Sequence, residues 1–232
     1  MKRSFARLRL AAVNIDGVLL NDTFSPVIHD FVVRRGGRYT AQTERAIFSQ
    51  PQHTAGLRMA EAVPEPLTGE QALRAYFAER EEYLERHPVA LSEGAVELLH
   101  RLRSLGLRVV CYGGLAKSHF DTHLGAYADL FDDPGYVCTN DFRPGIHEII
   151  TQTFGLKHDE ALVIDDVARV AEEARALNVP FIGRPSTFVH SFQRSLMAEA
   201  GVRHVVNRLD EVDAELLHRI DADAAAGRSW ER

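Results

Sequence analysis

Short apolar runs alternate with amphipathic stretches over most of this chain. Leu8 to Ile15 reads LRLAAVNI and stops at Asp16-Gly17, the pattern of a buried parallel strand ending in a turn. Comparable runs recur at 107–112 (LRVVCY), 136–140 (YVCTN), 161–165 (ALVID), 179–183 (VPFIG) and 204–206 (HVV). Between them, apolar residues fall at helical spacing. Ala95, Leu98, Leu99, Leu102 and Leu105 follow a candidate N-cap at Ser92 and stop at Gly106. Further helices are expected over 116–125, 144–154, 167–177, 190–200 and near 210–220. Strands alternating with helices of this length predict an α/β fold: a doubly wound, Rossmann-like parallel sheet with helices on both faces.

Residues 22–88 break the alternation, with scattered Pro and Gly, the helical stretch EQALRAYFAEREEYLERH and no strand pattern. They predict an inserted helical cap domain. The core is then 1–21 plus 89–226, and 227–232 form a tail. Trp230 in that tail is read as a terminal exposed side chain, with docking on a partner subunit as the alternative.

The chain has 232 residues, 45% hydrophobic and 26% charged, which suits a folded domain with a full core. Its net charge of −6, with both signs interspersed, argues against nucleic acid as the main partner. No run approaches the length of a membrane span, and the N-terminus lacks a cleavage site after its short apolar run. A soluble, cytoplasmic protein without membrane association is expected, and a homo-oligomer stays open. Cys111 and Cys138 lie in strand-like runs and are read as buried free thiols.

In open parallel sheets, ligands bind outside the carboxyl ends of the strands. Four segments qualify: Asn14-Ile15-Asp16-Gly17, Tyr112-Gly113-Gly114, Arg143-Pro144 and Asp165-Asp166. Together they form a candidate site for phosphate and metal. Simpler readings exist for two of them, since Asp before Gly makes a turn and Asp before a helix makes an N-cap.

In the order and spacing of these segments, and in the insertion after the first, nearly the whole chain resembles the haloacid dehalogenase-like superfamily. The first motif of that family, D-x-D-G, reads NIDG here. The resemblance implies a Rossmann-like core with a cap, and a mechanism in which the first Asp attacks phosphorus, the second is acid and base, and Mg²⁺ offsets charge. This chain departs from that pattern. Asn14 occupies the nucleophile position, and a neutral amide is a poor nucleophile and a weaker metal ligand than a carboxylate. Tyr112 stands where a Ser or Thr precedes Gly-Gly, Arg143 replaces the usual Lys, and Val170 replaces a downstream acid on the apolar stripe Val167, Val170, Ala171 and Ala174. Changes at several motifs argue against a single engineered trap mutation at Asn14.

Three functions follow as expectations. The first is a divergent hydrolase-fold protein that binds or transforms a small anionic molecule, phosphorylated or carboxylated, without an aspartyl intermediate. Asp16 would be the general acid or base. Arg143, Tyr112, Gly113 and Gly114 would hold the anion, and Asp166, Asp165 and the Asn14 amide oxygen would hold Mg²⁺ weakly. The second is a Mg²⁺-dependent phosphatase with a non-standard nucleophile, and the third a non-catalytic binding protein. Gln52 and His53, in the polar segment FSQPQH of the insertion, are candidate specificity residues. His119 and His123, four apart, have a zinc-compatible spacing but are read as exposed. The insertion contains no lysine, which excludes Schiff-base chemistry there, and no G-x-S-x-G elbow occurs.

Overall fold

A computed structural model of the chain describes residues 5–230. The first strand, β1 (Leu10–Asn14), is followed by four helices, α1 (Ser25–Arg34), α2 (Ala41–Ile47), α3 (Gln52–Glu61) and α4 (Gly69–Arg86). All four fall within 22–88. The alternation then resumes with α5 (Ala95–Ser104), β2 (Arg108–Gly113), α6 (Lys117–Leu124), β3 (Tyr136–Cys138) and α7 (Ile146–Glu148), which widens into a π turn over Ile149–Thr153. It ends with β4 (Ala161–Asp165), α8 (Ala168–Ala176), β5 (Phe181–Gly183), α9 (Gln193–Ala200), β6 (His204–Val205) and α10 (Ala214–Ala225).

The six strands are parallel and ordered β3-β2-β1-β4-β5-β6. This is the doubly wound arrangement, with its switch point between β1 and β4. Alternate residues of the central strands feed two cores. Ala11, Val13, Val109, Cys111, Leu162 and Ile164 pack with α5, α6 and α10, whereas Leu10, Ala12, Val110, Tyr112 and Val163 pack with α7, α8 and α9. The insertion joins the second core, into which α1 sends Val27, Ile28, Phe31 and Val32.

Two attachments hold the insertion over the sheet. At its neck, Leu20 and Leu91 form an antiparallel bridge, and Asn21 and Ala90 exchange two hydrogen bonds of 2.9 Å. At its far side, the fully buried carboxylate of Glu44 on α2 accepts from Tyr39 Oη at 2.9 Å, Ser191 Oγ at 3.0 Å and the Phe192 amide at 2.9 Å. Glu44 thereby ties the insertion to the segment that starts α9.

Some expectations are corrected. Cys111 is buried, but Cys138 is exposed, because β3 is an edge strand and its third residue turns outward. Trp230 is neither exposed nor free, since its Nε1 donates to Val179 O at 2.9 Å and its ring leans on Phe181. Ser92 does not cap α5, which begins at Gly94 in a left-handed conformation. Among the described residues, no helix is long and apolar enough to cross a membrane.

Candidate functional site

Because β1 and β4 pair in register through Val13 and Ile164, the residues just past both strands meet at the switch point. Asn14, Asp16 and Asp166 form the floor of a cleft there, with Gly114 and Arg143 at its side. The insertion supplies an apolar roof that includes Phe24, Ile28, Met59, Tyr76 and Phe77. The empty space, counted out to the mouth, is about 830 Å³.

The Asn14 amide is turned by its two hydrogen bonds. Nδ2 donates to Asp166 Oδ1 at 2.8 Å and to the main-chain oxygen of Asp16 at 2.9 Å. A carboxylate and a carbonyl both accept, so the nitrogen must face them. The turn is closed by Gly17 at φ +85°, where a Cβ would lie 2.1 Å from Asp166 Oδ2. Only glycine satisfies both the positive φ and that approach. The Arg184 guanidinium donates to Gly17 O from the other side.

Asp16 points into the cleft, with its Oδ1 2.9 Å from His119 Nε2. Both side chains are largely shielded from solvent. His119 is therefore not the exposed residue expected from its helix face. Among the described residues, no cluster of three His, Cys, Asp or Glu side chains suits a metal.

Tyr112 lies outside the cleft lining. It is fully buried in the core below, where its hydroxyl donates to Asp165 Oδ2. Asp165 Oδ1 accepts from the Val167 amide at 2.7 Å, so Asp165 also turns inward and braces the start of α8. Burial, opposed by these hydrogen bonds and by Arg143, pushes the Asp165 carboxyl from 3.8 up to about 6. Burial, then the charges of Asp165 and Asp22, push Asp166 well above the ordinary carboxylate range.

Arg143 is the cation at the cleft. Its Nη2 donates to Ser49 Oγ at 3.1 Å, and Nη1 lies so close to Gly114 that a Cβ there would fall 2.5 Å away. Arg143 Nε is buried without a partner, and among the described residues no carboxylate lies within ion-pair distance of this guanidinium. Gln52 lines the cleft, its main-chain N–H donating to Asn140 Oδ1 at 3.0 Å and its side-chain Nε2 to Gly114 O at 3.4 Å.

Of the candidates drawn from sequence, Asn14, Asp16, Gly114, Arg143, Gln52 and Asp166 come together at the cleft. Tyr112, Gly113 and Asp165 lie beneath it, and His53 is exposed on α3. Sequence reasoning missed Tyr76 and Asp22, set His119 aside as exposed, and reached Ser49 only as part of the segment FSQPQH. Tyr76 lines the cleft, and its hydroxyl is buried without a partner among the described residues. Asp22 accepts from the Phe24 and Ser25 amides at 2.9 Å each and from Ser186. Its position before Ser25-Pro26 was a legible helix-start signal.

No family model and no curated protein matches the sequence. Solved structures do. A protein from Bacteroides vulgatus, provisionally assigned as a beta-phosphoglucomutase, superposes with a TM-score of 0.67 at 15% identity, over 97% of this chain and 91% of that one. A haloacid dehalogenase-like protein of unknown function from Agrobacterium tumefaciens gives 0.64 at 19% identity, over 90% and 98%. A HAD family hydrolase from Deinococcus radiodurans, solved with bound phosphate and sodium, gives 0.58 at 18% identity, over 95% and 97%. At these identities the likeness establishes the fold, which is that of the haloacid dehalogenase-like hydrolases.

Proposed function

We propose that the cleft binds a small organic anion, phosphorylated or carboxylated, and that any chemistry on it proceeds without an aspartyl-phosphate. The observation that carries this reading is Arg143, a cation lining the cleft with no carboxylate partner among the described residues. A guanidinium in that state favours a bidentate oxyanion. The solved relative with bound phosphate supports the same class of ligand. The apolar roof suits an organic body.

Covalent catalysis at Asn14 is not available, since the amide is neutral and its nitrogen is spent on Asp166 and Asp16. Asp16 is the group placed to move a proton: His119 engages Oδ1 and leaves Oδ2 for the ligand. That pair also favours a second reading, slow hydrolysis by a water that Asp16 deprotonates. Two oxygens a divalent cation would take, Asp166 Oδ1 and the Asp16 main-chain oxygen, accept from the Asn14 amide nitrogen that stands between them, so the donor set does not fit Mg²⁺ while Asn14 holds its position. The proton transfer is therefore assigned to Asp16 alone.

The test is calorimetric titration with phenyl phosphate, benzoate and inorganic phosphate, alongside a phosphate-release assay with and without Mg²⁺. At least one organic anion should bind, and Arg143→Met should weaken it by about tenfold or more. Unchanged affinity in Arg143→Met would sink the reading, and sustained phosphate release by the unaltered chain would promote the hydrolytic one.

A further inference from the structure

We infer that the side-chain amide of Asn14 takes the place of a divalent cation in this cleft, so that the site is assembled and held without metal. The inference rests on two oxygens that meet at the switch point. Asp166 Oδ1 and the Asp16 main-chain oxygen converge on one atom, Asn14 Nδ2, at 2.8 and 2.9 Å. A hard cation bridging those two oxygens would stand where that nitrogen stands.

Several neighbouring oxygens are also engaged. Asp16 Oδ1 faces His119 Nε2, Asp165 Oδ1 takes the Val167 amide, Asp165 Oδ2 takes the Tyr112 hydroxyl, and Gly17 O takes the Arg184 guanidinium. Mg²⁺ demands near-octahedral oxygen coordination and gives up its waters reluctantly, so a meeting point already filled by a donor nitrogen does not admit it. Two amide hydrogens instead supply two directional bonds. One joins the end of β1 to the segment after β4 and the other closes the turn after β1, the mechanical task a bridging cation would otherwise perform.

The departure at Tyr112 is consistent with this arrangement. Tyr112 on β2 fixes Asp165 from below, which turns that carboxylate away from the cleft and leaves Asp166 as the only carboxylate of the pair to be bridged. One acceptor on β4 and one main-chain acceptor after β1 match the two hydrogens of a single primary amide.

The full-length chain can be titrated with Mn²⁺, followed by electron paramagnetic resonance, and compared with Asn14→Asp. The unaltered chain should leave Mn²⁺ free at millimolar concentration, and Asn14→Asp should gain a saturable site, tighter by about tenfold or more. Saturable binding by the unaltered chain that Asn14→Asp does not strengthen overturns the inference. So does absence of binding in both, because the amide is then not what excludes the cation. If Asn14→Asp does not fold, the Asn14 side-chain amide signals of the unaltered chain decide by NMR. They should be unmoved by Mg²⁺, and a saturable shift overturns the inference. Neither readout depends on an organic anion binding at Arg143, so the two proposals fail separately.

Discussion

His119 Nε2 lies 2.9 Å from Oδ1 of Asp16, which joins the helix after β2 to the turn after β1 beside the cleft. Replacing His119 with Phe removes the partner of a shielded carboxylate and should cost about 1–3 kcal/mol of stability. If the pair is coupled as drawn, Asp16→Asn added to His119→Phe should cost less than the sum of the single changes. Urea unfolding of the four proteins in a double-mutant cycle measures this, and strict additivity would break the assignment.

The buried Asp165 carboxyl sets a pH dependence with a definite sign. Its folded-state pKa, about 6, is above the ordinary 3.8, so the folded chain binds more protons than the unfolded chain between those values. Its contribution is complete below about pH 4 and is lost as pH rises through about 6, an effect of the order of 2–3 kcal/mol. Asp165→Asn should flatten that slope in urea midpoints taken at about pH 4 and about pH 7. An unchanged slope would assign it to other groups.

Gly17→Ala should be among the most damaging single-atom additions to the chain. It combines strain at φ +85° with a Cβ 2.1 Å from Asp166 Oδ2, and a loss of about 2–4 kcal/mol is expected. Chemical denaturation gives the loss, and the side-chain amide shift of Asn14 reports whether Asp166 has been displaced from its partner.

Glu44→Ala should loosen the insertion while sparing the sheet. It leaves Tyr39, Ser191 and Phe192 without their acceptor, at a cost of about 2–4 kcal/mol. Hydrogen exchange should speed up across α2 and the segment before α9 and stay slow in β1 and β4. Uniform acceleration would mean that Glu44 supports the whole fold.

The alternating sheet and the helical insertion were legible because strand ends and helix stripes are encoded locally, in runs such as LRLAAVNI and ALVID and in the spacing of Leu98, Leu99 and Leu102. The cluster of Asn14, Asp16, Arg143 and Asp166 was legible because the carboxyl ends of parallel strands converge. Direction was not. Tyr112 pairs with Asn14 in register and shares its face of the sheet, yet its side chain is buried outside the cleft lining and its hydroxyl holds Asp165 there, a side-chain pairing that strand periodicity does not encode. The contact between His119 and Asp16 spans 103 residues and depends on how α6 is rotated, which a helix pattern alone leaves unspecified.

The paired neck at Leu20 and Leu91 closes the insertion as a loop before any of its helices is counted. For a loop whose ends already meet, doubling its length adds only about 0.6 kcal/mol of closure entropy. The roof of the cleft can thus gain or lose a turn of helix at little cost to the sheet, provided the apolar face of α1 stays covered. Changes in what the cleft admits are then thermodynamically cheap, whereas changes at its floor disturb the joint between β1 and β4.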